Sequence, residues 1–474
     1  AESSMVRPLL WLLAASVAAA VETGNDGAST QSVVVLILTY GETRYDERRA
    51  EETRQHVEKE LEGENPAILI SHRAFGHDSS WGHHAIWPLI TRISARFPSL
   101  KWLVLMEVES RMDGQGLKKR LTNGEEEFVG RALVDEQPVI THHFYGFDSE
   151  DGAVFQYPDL AAGALLSGRL VSRLAQGLRE KKGVEFTIDP KHEFAKYVKT
   201  LTGAALVSEV DHFCQSPGPG CLIWFNQLTG TKKECTHRPA LDHTSLFVGI
   251  KTFSGFHRTR VVVAKRTWTK NVRNVIFYSD TEDPYVPSKS LGIPNTERGH
   301  CGKTIGILKD ALQQDEISSA RWLFIADDDT LVGLARLYRW LRCYEEEEPI
   351  IVGERYGYGY SIGGEEGFDY PTGGSGMLFS LPAARLLAQE CECPSNDSPD
   401  DMIIGMCARR LAIPIIHSPA FHQARPSDYS RSLLSRLPPI SFHKHDGVDP
   451  YEVYTRYLKE EEDEVRWDKK RDEL

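Results

Sequence analysis

The sequence predicts an α/β protein built from two tandem Rossmann-like domains, the first an altered copy of the second. Three observations carry this reading. Short strand-like apolar runs alternate with longer helix-like stretches, one block pattern occurs twice in the same order, and 474 residues exceed one ordinary core.

The elements follow in chain order. Met5 and Arg7 precede an apolar run from Leu9 to Val21, with small residues at Ala18-Ala19-Ala20. That pattern reads as a secretory signal peptide over residues 1–20, too short to span a bilayer comfortably; an uncut signal anchor is the alternative. A first domain is expected over 28–235. It opens with the strand-like run Ser32 to Leu38, a polar helical stretch to Leu61 and a second apolar run, Ala67 to Ile70. The segment Gly203 to Thr244 holds the turn signal Pro217-Gly218-Pro219-Gly220 and reads as the connection. A second domain over 240–465 opens in the same way. Leu246 to Ile250 is followed by a basic stretch to Trp268 and by Val275 to Tyr278. Such alternation implies parallel strands with right-handed crossovers, and ligands at the strands' carboxyl ends.

The repeat rests on three paired blocks. Lys101-Trp102-Leu103-Val104-Leu105-Met106-Glu107-Val108-Glu109 parallels Arg321-Trp322-Leu323-Phe324-Ile325-Ala326-Asp327-Asp328-Asp329. Tyr157 to Ser167 parallels Tyr370 to Ser380 without a gap. Gln137-Pro138-Val139-Ile140 and Glu348-Pro349-Ile350-Ile351 lie between them in both copies.

Asp327-Asp328-Asp329 closes an apolar strand. Adjacent carboxylates repel and need a compensating charge, for which a hard divalent cation with phosphate oxygens is suited. Strand alternation lets Asp327 and Asp329 point together. A solvated acidic turn is the competing reading. In the first copy Glu107-Val108-Glu109 keeps two acids and loses the third, and Gly373-Gly374-Ser375-Gly376 has become Leu160-Ala161-Ala162-Gly163. Lost glycines bar close approach of a ligand to backbone, so the first copy is expected to be non-catalytic. Asp280 ends a strand in Tyr278-Ser279-Asp280, where a plain turn is the alternative. Asp400 and Asp401 precede a helical run and read as acids or as helix caps. His422, in Phe421-His422-Gln423, reads as a ligand or as a structural ring.

The formal net charge of −13 argues against a nucleic-acid partner. No later stretch has the length and apolar purity of a membrane helix, so no stable membrane insertion is expected. The tail Arg471-Asp472-Glu473-Leu474 is one residue from the KDEL address, which predicts retention in the endoplasmic reticulum lumen. Eight cysteines suit that compartment and predict disulfides. Three lie at 214, 221 and 235 and five from 301 onward, so one bridge joins the groups or thiols stay free. Asn396-Asp397-Ser398 is a possible glycan site, weakened by Pro399.

The series F-H-R-T-R…T-W at 256–268, F-Y-S-D at 277–280, W-L-F-I-A-D-D-D-T at 322–330, G-G-S-G-M-L-F-S at 373–380, P-D-D-M-I-I-G at 399–405 and F-H-Q at 421–423 resembles the Fringe-type β-1,3-glycosyltransferases of family 31. The doubled domain, leader and tail are most similar to members that add glucose to O-linked fucose on thrombospondin type 1 repeats. The resemblance implies a GT-A fold and inverting transfer from UDP-glucose to the fucose 3-hydroxyl. It implies Mn2+ and the UDP diphosphate at Asp327, Asp328 and Asp329, with Asp329 as a direct ligand and His422 as a second. Asp401 matches the catalytic base, Asp280 lies near the nucleotide, and Gly373, Gly374 and Gly376 line the cleft. Two alternatives stay open: another UDP-sugar (N-acetylglucosamine or galactose), or an inactive lumenal factor that binds folded repeats.

Overall fold

The computed structural model describes residues 29–41, 43–75, 86–121, 127–146, 154–181, 184–226, 235, 239–361, 366–459 and 461. The expected signal segment 1–20 and the tail Arg471 to Leu474 lie outside them. Among the described residues, no helix is long and apolar enough to cross a membrane.

Two large mixed sheets form the centre of the molecule, with four small sheets of two or three strands beside them among the described residues. The first runs, edge to edge, Val207–Ser208, Phe128–Gly130, Ala164–Ser167, Trp102–Glu107, Val33–Leu38 and Ala67–Ile70. The second runs Ile415–His417, Ile351–Gly353, Met377–Ser380, Trp322–Asp327, Leu246–Lys251, Asn274–Ser279 and Ser288–Ser290. The orders match strand for strand, with Ser288–Ser290 added at the outer edge of the second. Val-Val-Val-Leu-Ile-Leu at 33–38 and Leu-Phe-Val-Gly-Ile-Lys at 246–251 are buried along their whole length, as central strands covered on both faces must be.

Sequence spacing predicts parallel strands, and the first three of each half are parallel. Ala164–Ser167 and Met377–Ser380 instead run antiparallel to their neighbours. The chain reaches each of them at the carboxyl edge, held there by Ser110 Oγ on the Ala161 carbonyl (2.9 Å) and Thr330 Oγ1 on the Gly374 carbonyl (2.8 Å). A strand entered from that edge runs back down the sheet. Each then passes straight into a helix capped by its last serine, Ser167 for Gly168–Glu180 and Ser380 for Leu381–Glu390.

Two paired blocks of the repeat coincide in the sheets. The third does not. Ile351 opens a strand, whereas Ile140 starts the short 3-10 turn Ile140–His142. Phe128–Gly130 has taken the matching place beside Ala164–Ser167.

The halves are tied together. Val184–Thr187 pairs with Arg355–Ser361 of the second half. Arg355 Nη1 donates to the Tyr40 carbonyl (2.9 Å), and buried Arg436 pairs with buried Asp159. All eight cysteines are bridged: Cys214–Cys221, Cys235–Cys343, Cys301–Cys393 and Cys391–Cys407. Cys235–Cys343 is the bridge between groups. Its 108-residue separation is worth about 4–5 kcal/mol in the chain-entropy account.

Candidate active site

Trp322–Asp327 delivers the acid triplet to the carboxyl edge of the second sheet. The chain turns and pairs Thr330–Val332 antiparallel with Ser441–His443, in a register that sets His443 opposite Thr330. His443 Nε2 thereby lies 3.0 Å from Asp329 and 3.6 Å from Asp327. Asp327, Asp329 and His443 bring one ligand atom each within 4.8 Å of one another. Alternation places Asp327 and Asp329 together, as expected, and turns Asp328 away to accept from Thr252 Oγ1 (2.6 Å).

Arg260 Nη1 lies 2.9 Å from Asp329 and 3.4 Å from Asp328. Burial would raise the Asp329 carboxyl, but His443 and Arg260 hold it down at about 2. Asp328 is pushed up to about 6 by burial and by the neighbouring carboxylates. His443 Nδ1–H donates to the Gln423 carbonyl (3.0 Å), which aims Nε2 at Asp329, and that carboxylate raises the ring's pKa against burial. Two carboxylates and an imidazole fixed in this way by an outer hydrogen bond fit a divalent cation such as Mn2+.

The structure does not bring His422, the expected second ligand, to this cluster. His422 is 2% exposed, stacks on Phe442 with ring centroids 4.9 Å apart, and packs against Tyr429. It faces the cavity between the halves. His422 precedes the strand Ser441–His443 that carries His443, and its ring stacks on Phe442 of that strand. Burial drives its pKa down to about 3.

Asp400 and Asp401 open the helix Asp400–Arg410, and neither is its N-cap, which is Pro399. Their environments diverge. Lys251, at the end of a central strand, places its ammonium 2.5 Å from Asp400 and 2.9 Å from Asp327. Thr304 Oγ1 also donates to Asp400 (2.6 Å). Against the cost of burial, these contacts hold Asp400 ionised at about 2. Among the described residues, Asp401 accepts only from backbone N–H groups, of Met402 (2.8 Å) and Gly373 (3.4 Å). Burial and the Asp400 charge raise it to about 6. One carboxylate is committed to structure, and its neighbour is left tuned near neutrality.

The glycine turn closes the space between these groups. A Cβ on Gly373 would stand beside Lys251, Asp400 and Asp401. At Gly374 it would collide with the His443 ring. Gly376 adopts φ +88°, a left-handed conformation that favours glycine. Gln423 Oε1 accepts from Ser375 N–H (3.0 Å), fixing the turn. Asp280 stands apart, accepting from Ser254 N–H (2.7 Å) and Ser254 Oγ (3.1 Å) at the end of Asn274–Ser279.

Reading the sequence alone passes over Lys251, His443 and Gln423 as site residues. Lys251 is a lone cation ending an apolar strand. The His-Lys-His of 443–445 was the available signal for a ligand. In the first half, Glu107 accepts from Tyr40 Oη (2.8 Å) and Glu109 pairs with Arg49 (2.5 Å). A guanidinium thus neutralises the acid that corresponds to Asp329.

Residues 241–466 match the Fringe-like family model. Over 444 residues the chain is 40% identical to a β-1,3-glucosyltransferase of Homo sapiens, covering 91% of this chain and 86% of that one. The Mus musculus β-1,3-glucosyltransferase is 39% identical over 93% of this chain and 89% of its own length. A Danio rerio protein named β-1,3-N-acetylglucosaminyltransferase manic fringe is 24% identical over 40% of this chain and 58% of its own length. The chain is a glycosyltransferase with a Fringe-like second half, and it belongs to the β-1,3-glucosyltransferase family.

Proposed function

We propose that the second half, residues 240–465, transfers glucose from UDP-glucose to the 3-hydroxyl of O-linked fucose on thrombospondin type 1 repeats. The base is assigned from the divergence of Asp400 and Asp401, and the transferred sugar from the 40% identical β-1,3-glucosyltransferase. Asp401 acts as general base and takes the hydroxyl proton while the oxygen attacks the anomeric carbon. A single displacement inverts the linkage from α to β. A carboxylate raised to about 6 is mostly ionised at neutral pH yet basic enough to accept a proton in the transition state.

Asp327, Asp329 and His443 would hold a divalent cation, with Mn2+ as the candidate, and its charge would offset that of the departing diphosphate. Asp328 and the glycines at 373, 374 and 376 give the donor its walls. Asp280, with Ser254, takes a place near the nucleotide. The first half, residues 28–235, is a degenerate copy without catalysis, since Val108 stands where the second half has Asp328 and Leu160-Ala161-Ala162 where it has Gly373-Gly374-Ser375. The signal segment and the Arg471 to Leu474 tail support residence in the endoplasmic reticulum lumen.

The test is a donor panel: purified protein with Mn2+, an O-fucosylated thrombospondin repeat, and UDP-glucose, UDP-galactose or UDP-N-acetylglucosamine. Glucose transfer should exceed the others by at least an order of magnitude. Preferential transfer of another sugar overturns the donor assignment, and transfer of none supports the inactive binding factor.

A further inference from the structure

A cavity of about 100 Å3 lies between the two halves. Leu38 and Glu107 line it, and these residues end two central strands of the first sheet. It therefore occupies, in the first half, the place that the candidate active site occupies in the second. The chemistry there has been exchanged rather than erased. In the second half the helix beyond the serine-capped one opens with Asp400 and Asp401. In the first half the corresponding helix, Pro190–Thr202, opens with Lys191 and His192.

A cleft that had only to be filled would be apolar, because buried ions cost several kcal/mol each to desolvate. This one is lined by the acids Glu107, Asp189, Asp428 and Glu354 and by cations at Lys191, Arg355 and His142. His142 is held protonated against burial by Asp135 and Asp189, with its pKa raised to about 9. Acids that outnumber the cations do not select an anion, and the acid triplet that would accompany a diphosphate is absent. Tyr40, Tyr157 and Tyr429 complete the wall, their hydroxyls donating to Glu107, Asp135 and Glu354. His422 also lines it, and its buried Nε2 has no hydrogen-bond partner among the described residues. Aromatic faces beside mixed donors and acceptors suit a neutral polyhydroxyl compound. The volume accommodates several waters or one small ring, well short of a nucleotide sugar.

We infer that this cavity is a second saccharide site, taking a single neutral sugar ring between the two halves. Its far wall adjoins the candidate active site. Glu354 accepts from the Gln423 N–H, Gln423 Oε1 accepts from Ser375 in the glycine turn, and the Gln423 carbonyl accepts from His443. An occupant touching Glu354 is thus a few hydrogen bonds from a candidate cation ligand. The inference is independent of the donor used in transfer.

The test is saturation-transfer NMR on the purified full chain with D-glucose, D-galactose and L-fucose, without nucleotide or metal. At least one sugar should bind saturably in the wild type and equally in Asp329→Ala. Binding should weaken about tenfold or more in Leu433→Phe, which fills the cavity with a larger side chain. Should that variant not fold, Tyr40→Phe, which removes one hydroxyl, carries the same expectation. Absence of saturable binding by all three sugars overturns the site. So does binding that Asp329→Ala abolishes while the cavity variant retains it.

Discussion

Lys251 bridges Asp327 and Asp400, its ammonium 2.9 Å from one carboxylate and 2.5 Å from the other. The lysine side chain is 4% exposed, so the bridge lies within the protein. It fixes the end of the Trp322–Asp327 strand against the first turn of the Asp400–Arg410 helix, which aligns the cation candidates with the proposed base.

Removing that cation strands two carboxylates. Lys251→Met should cost about 3–5 kcal/mol in urea unfolding, the range for breaking a buried pair. Lys251→Met with Asp400→Asn should regain part of that loss, because the most deeply paired acid is then neutral. Equal stability of the single variant and the wild type would show that the bridge is immaterial.

The metal assignment separates two histidines. His443→Ala and Asp329→Ala should each raise the Mn2+ concentration for half-maximal activity at least tenfold, or abolish transfer. His422→Phe keeps an aromatic ring against Phe442 and should leave that concentration unchanged. The reverse pattern would return the ligand role to His422.

The raised carboxyl of Asp401 predicts a pH dependence. A base works ionised, and protonation of Asp401 below its pKa of about 6 removes it. Activity should therefore fall as pH drops through about 6, approaching a tenfold loss per unit below that. The acid limb of kcat/KM reports it. A flat profile down to pH 5 would argue against this base.

Neutralising the acids of the first half tests whether it takes part in chemistry. Glu107→Gln with Glu109→Gln should leave turnover on a simple fucoside nearly intact, with a stability cost from the partners left behind, Tyr40 and Arg49. A large loss of turnover at unchanged melting temperature would mean that the first half contributes to catalysis.

Much of this was legible in the sequence. The Trp-led apolar runs before each acid group, and the Tyr-Pro blocks ending in serine, mark central strands and helix caps that recur in both sheets. Local pattern decides such features. It did not reveal that Gln137 to Ile140 leaves the sheet, because Phe128–Gly130 wins that place through pairing with Ala164–Ser167. The exchange of His422 for His443 has a similar cause. A strand register between residues 330 and 443 sets which ring reaches the acids, and register is a long-range property. Lys251 was invisible because its partners are supplied by a strand and a helix far along the chain.

The most direct test of the central claim compares Asp401→Asn with Asp400→Asn. Asparagine preserves size and helix-start compatibility but does not accept a proton at neutral pH. Asp401→Asn should bind UDP and Mn2+ as the wild type does, melt near it, and lose turnover by roughly a hundredfold or more. Asp400→Asn loses contacts with Lys251 and Thr304, so it should melt lower yet keep substantial turnover. A folded, inactive Asp400→Asn beside a folded, active Asp401→Asn would contradict the account.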